Sequence, residues 1–74
     1  MEAHTVKGRK VYNGNGDHVA NIIGERHVHP RYGAQGGYAI LRVGAPRESA
    51  LNCGEHFPYA YFADAVKFAR LGQF

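Results

Sequence analysis

The chain has 74 residues, with nine Lys and Arg against six Asp and Glu, five His and one Cys. A domain of this length buries only roughly 60% of its unfolded surface, which leaves little material for a preorganised catalytic cleft. A net charge of +3 excludes a DNA mimic, the single cysteine excludes an internal disulfide framework, and no apolar run reaches membrane-spanning length.

The charge is unevenly spread. Residues 1–47 hold seven cations and three anions, and residues 48–74 hold two cations and three anions. A basic first part favours an acidic protein surface or a phosphate backbone as partner. Met1–Thr5 has no apolar signal core and the lone cysteine fits a reducing compartment, so the expectation is a single cytoplasmic domain, 1–74, with no membrane partner.

Thr5–Asn13 reads as a strand whose apolar residues are Val6, Val11 and Tyr12. Asn13-Gly14-Asn15-Gly16-Asp17 then signals a tight hairpin turn, because Asn and Gly tolerate positive φ. Two overlapping Asn-Gly pairs leave the register open. No Gly-Lys-Ser/Thr and no third glycine at dinucleotide spacing follow, so these glycines serve a turn rather than a phosphate loop. His18–Ile23 returns as a second strand.

Gly24–Gly37 has four glycines, a proline and little apolar content, and it reads as a long loop. Gly33-Ala34-Gln35-Gly36 within it matches the Gly-X-X-Gly of KH domains by letter, but no helix precedes it. Tyr38–Val43 is a third strand. If the helix covers the side of Ala39, Leu41 and Val43, the other side offers Tyr38, Ile40 and Arg42, either to a partner or to cover by the long loop or the chain's own termini. Gly44–His56 is irregular, with one or two helical turns over Pro46–Asn52.

The last element is the clearest. Phe62, Ala65, Val66 and Ala69 fall at i, i+3, i+4 and i+7, the stripe of an amphipathic helix. Asp64 lies early and Lys67 and Arg70 late, which suits the helix dipole. Gly72 marks the stop, and the start lies between Pro58 and Phe62. The small alanines on the stripe allow close approach to a flat partner. The predicted fold is α+β: a three-stranded antiparallel β-sheet with one C-terminal α-helix packed on one face (β-β-β-α).

Three chemistries compete for the surface. His27, His29, Cys53 and His56 supply four zinc-type ligands in two pairs, the number a closed tetrahedral site needs, although the first pair lacks zinc-finger spacing. Cys53 and His56, with Glu55 to orient them, form the enzyme reading, but neighbours in sequence do not all point inward. The expectation is therefore a non-enzymatic protein without cofactor. Lys7, Arg9 and Lys10 with Tyr12 make a basic strand carrying an aromatic, and Arg26, Arg31 and Tyr32 repeat that chemistry in the loop, as nucleic-acid binding requires. The strand-strand-strand-helix order is also similar to the later part of double-stranded-RNA-binding domains, with Asp64 where those carry lysines.

The Val-Tyr-Asn-Gly-Asn-Gly-Asp hairpin and the Phe-Ala-Asp-Ala-Val-Lys-Phe-Ala helix, at this size and layout, resemble the small accessory proteins of phages and mobile elements, in particular anti-CRISPR proteins. The resemblance implies a non-catalytic inhibitor that occupies a surface of a CRISPR effector. The expected partner is a larger protein or ribonucleoprotein complex, engaged through an acidic surface by Arg26, Arg31, Tyr32, Tyr38, Ile40 and Arg42, with the chain a monomer or homodimer. The alternative is a small basic nucleic-acid-binding module using Lys7, Arg9 and Lys10.

Overall fold

The computed structural model describes residues 3–74. Four antiparallel strands lie in sequence order: β1 (Thr5–Lys7), β2 (Lys10–Tyr12), β3 (His18–His29) and β4 (Gly33–Arg42). A 3-10 turn (Arg47–Ala50) and one helix, α1 (Phe62–Arg70), complete the fold. The class is α+β as expected, with one strand more.

The extra strand comes from splitting Thr5–Asn13. Lys7 pairs with Lys10, which leaves Gly8-Arg9 as a two-residue turn, and Gly8 takes φ +62°. Glycine at the first central position suits such hairpin turns. The next turn resolves the Asn-Gly ambiguity in favour of Asn15-Gly16. Gly16 has φ +85°, and the Asn13 side-chain oxygen accepts from the amides of Asn15 and Asp17 at 2.9 and 3.0 Å.

The long loop of the sequence reading is a hairpin. β3 and β4 pair without a break from Ala20↔Arg42 to His29↔Gly33. Pro30, Arg31 and Tyr32 close the end, and His29 Nδ1 accepts the amides of Arg31 and Tyr32 at 3.1 and 3.3 Å. The portion beyond Gly24 and Gly37 projects from the body, which gives the molecule extents of 45 × 22 × 16 Å.

The core lies between α1 and one face of the sheet. Val11, Ala20, Ile22 and Ile40 meet Ala65 and Ala69, with Phe62 and Val66 packed at the margin. The helical stripe is therefore as read. Its start falls at Phe62, the late end of the expected range: Tyr61 before it is extended, and Tyr59 pairs with Tyr38 of β4. The stop is as read, since Gly72 (φ +71°) donates to Ala69 O and Gln73 to Phe68 O, the double bond pattern that closes a helix.

One expectation is reversed. Ile40 is 6% exposed within the helix-side cluster, so Tyr38, Ile40 and Arg42 face α1. Small helix residues admit larger ones from the sheet, and Ile22 and Ile40 fill that space. Ala39 is fully buried outside that cluster, on the second face, where the 3-10 turn contacts β4. Both faces of the inner part of β4, residues 37–40, are thus covered.

Candidate nucleic-acid interface

The second face is left open over β1, β2 and the start of β3. Val6 and Val11 point to the core, so strand alternation sends Thr5, Lys7, Lys10 and Tyr12 the other way. A register shift between Val11 and Tyr12 sets Tyr12 opposite His18. The Tyr12 and His18 rings lie 5.5 Å apart, and His18 Nε2 bonds Asn21 Oδ1 at 2.8 Å. Lys7 Nζ sits 6.0 Å from the Tyr12 ring centre. An open hollow of about 400 Å³ lies beside them, lined by Thr5, Lys7, Tyr12, Asn13 and the turn glycines.

Lys7 and Lys10 are exposed and directly opposite one another. Like charges in that relation destabilise a sheet pair, by roughly the 0.2–1 kcal/mol that an opposite-charge pair would contribute. An anion bound between them reverses the sign of that interaction.

Arg9, grouped with these lysines in the sequence, is not part of their surface. Its Nη1 donates to Gly24 O at 2.8 Å, and its guanidinium lies 5.8 Å from the rings of Tyr38 and Phe62. The side chain ties the first turn to the base of the projecting hairpin.

The residues expected to meet a protein partner are dispersed. Ile40 is core and has no surface to offer. Tyr38 packs edge-on against Phe62 at 5.4 Å. Arg42 Nε donates to Phe74 O at 3.0 Å, and its Nη2 donates to the same oxygen. Arg26 donates to Ala60 O at 2.9 Å and stacks 4.3 Å from the Tyr61 ring. Arg31 and Tyr32 alone of the six sit at the tip of the hairpin, 5.8 Å from guanidinium to ring. The six do not form one surface: alternation puts Tyr38, Ile40 and Arg42 on the helix side of the sheet, with Ile40 buried and Arg42 exposed, while Arg31 and Tyr32 lie at the hairpin tip.

The zinc quartet is not assembled. Among the described residues no group of three or more His, Cys, Asp or Glu could hold a metal ion. His27 and His29 ride on the projecting hairpin, whereas Cys53 and His56 lie in a turn closed by the Asn52↔His56 bridge. Cys53, Glu55 and His56 are all exposed there, so nothing encloses a reacting thiol. Gly33–Gly36 begins β4 rather than linking two helices. No described helix is long and apolar enough to cross a membrane.

These features define a small α+β module whose sheet is half shielded by a helix and half open and basic. No protein-family model, curated protein or solved structure matches the chain.

Proposed function

We propose that the chain is a nucleic-acid-binding module that contacts phosphates through Lys7 and Lys10. The observation that carries this reading is the in-register pairing of two lysines on the uncovered face, beside Tyr12 and an open hollow. Cations there neutralise phosphates, and the Tyr12 phenol and Asn21 amide add sequence-tolerant contacts. The reading involves no bond-breaking step.

A salt titration tests it. Fluorescence anisotropy with labelled DNA and RNA oligonucleotides at rising salt should give a log–log slope of about −0.9 per phosphate neutralised on duplex DNA. The double variant Lys7→Ala, Lys10→Ala should bind more weakly and shed about two such units of slope. Binding that is absent at low salt, or that ignores both substitutions, rejects the reading.

A second reading keeps the protein-binding inhibitor, of the anti-CRISPR kind that the resemblance implies. It is favoured by Arg31 and Tyr32 together at the hairpin tip, with Tyr32 68% exposed. A larger protein recovered from the native host by the wild-type chain, and lost with Arg31→Glu and Tyr32→Ala, supports it.

A further inference from the structure

A sheet edge is a row of backbone N–H and C=O groups that another strand can take up. This topology has three such stretches: β1, β4, and β3 where it runs past β2. Two of them are covered or bent. On β1 the His4 amide, just before the strand, donates to Arg70 O at 3.1 Å, and the strand carries the charge of Lys7. On β4, Tyr38 exchanges backbone bonds with Tyr59 at 2.7 and 3.0 Å. Further out, Gly36 turns to φ +82°, and the Arg26 guanidinium crosses to Ala60 O at 2.9 Å.

β3 is different. β2 pairs with it only as far as Asn21. Arg9 then ends the cover: its carbonyl accepts the Ile22 amide at 2.7 Å, and its guanidinium donates to Gly24 O at 2.8 Å. Alternation fixes which groups point outward beyond that point. Tyr38 and Gly24 are opposite one another, yet Tyr38 bonds Tyr59 on its outer side and Gly24 O accepts Arg9 on the other. That pair therefore turns its backbone groups outward, and so do Arg26 and Val28, two and four residues on. Among the described residues nothing bonds them there. Pro30 has no N–H and ends the run. The open edge is residues 25–29, with His27 at its midpoint.

We propose that two copies of the chain pair antiparallel through this edge, about a two-fold axis at His27. That register uses the whole open edge of both copies. Arg26 exchanges backbone bonds with the partner's Val28, and Val28 with the partner's Arg26. The side chains are self-complementary in the same register. Glu25, which is exposed, falls beside the partner's His29. His29 Nδ1 accepts the amides of Arg31 and Tyr32 at 3.1 and 3.3 Å, so the neutral ring carries its proton on Nε2 and offers a donor to that carboxylate. On the opposite face Val28, 78% exposed, meets the methylene stem of the partner's Arg26. The Arg26 head group is already held by Ala60 O and the Tyr61 ring, which fixes the stem in place.

Such a contact is isologous: each copy consumes the other's open edge, and no third copy adds to it. The paired segment is short, so the dimer is a weak one, smaller than the interfaces of permanent complexes. Self-pairing needs no nucleic acid and stands apart from the phosphate contacts of Lys7 and Lys10.

Sedimentation velocity from about 10 µM to 1 mM covers the range in which a small interface associates. The mass should rise from 8.2 kDa toward twice that value. Over the same series the amide resonances of Arg26 and Val28 should shift while that of Lys7 stays fixed. Val28→Pro removes an outward N–H and no bond between β3 and β4, a position where an edge strand tolerates proline. It should weaken the dimer about tenfold. Glu25→Lys sets a cation against the ring donor, and His29→Asp keeps an acceptor for the turn but sets carboxylate against carboxylate. Each alone should also weaken the dimer about tenfold. Mixed together, the two charge variants should associate at least as well as the wild-type chain, because every cross-pair is then complementary. Unchanged circular dichroism and melting show that each variant is folded. A chain still monomeric at the highest concentration, a dimer indifferent to Val28→Pro, or a mixture of folded charge variants that stays monomeric overturns the assignment. A monomer that recovers a host protein through this edge, and loses it with Val28→Pro, gives the edge to a foreign strand and likewise overturns self-pairing.

Discussion

Lys10 shows how a single residue is used at some expense. It faces Lys7 across the strand pair, so its charge works against the sheet it helps to form. Lys10→Thr should therefore raise the urea unfolding free energy by about 0.2–1 kcal/mol at low salt. The gain should shrink at 1 M salt, where the Debye length falls to about 3 Å. The same variant should bind DNA more weakly, and stability and affinity moving together would contradict the assignment. Gly36 is a second case. It has φ +82°, and a Cβ there would overlap the Glu25 carbonyl oxygen. Gly36→Ala should cost about 1–3 kcal/mol of local stability. Amide exchange should quicken along Glu25–His29 while Ile22 and Ile40 keep their protection. The exchange pattern matters because a uniform loss of protection would place Gly36 in the core's cooperative unit.

At the level of elements, the helix and the projecting hairpin are opposites. α1 has nine residues, too few to hold a helix alone in water, and it persists through Ala65 and Ala69 against the sheet. The hairpin has cross-strand bonds but no buried face. Replacing Arg26–Gly36 by Asn-Gly should leave Glu25↔Gly37 as the last pair and the core undisturbed. The shortened chain should melt within a few degrees of the parent, a shift of about 1 kcal/mol for a domain this size, less the contact of Arg26 with Ala60 and Tyr61. Collapse of the fold on excision would show that the arm carries stability that its exposure does not suggest.

For the whole molecule, the margin of stability is thin: 74 residues imply roughly 4–11 kcal/mol in total. Ile22 is the largest fully buried side chain, and Ile22→Ala should cost about 2–5 kcal/mol, visible as a large drop in the urea midpoint. The sequence alone determined the helical stripe, its glycine stop, the Asn-Gly turn and the α+β class, because each depends on local backbone preference or on a period imposed by one buried face. It could not show the ribbon of β3 and β4, since a strand exposed on both sides carries no apolar alternation to read. Nor could it orient the inner part of β4, residues 37–40, where alternation yields two sets of side chains and both faces are covered. Only the close approach of Ala65 and Ala69, which makes room for Ile40, decided which set went inward. That choice also buried Ile40, half-buried Tyr38 and turned the exposed Arg42 toward the C-terminal Phe74, while Lys7 and Lys10 lie on the face that stays open.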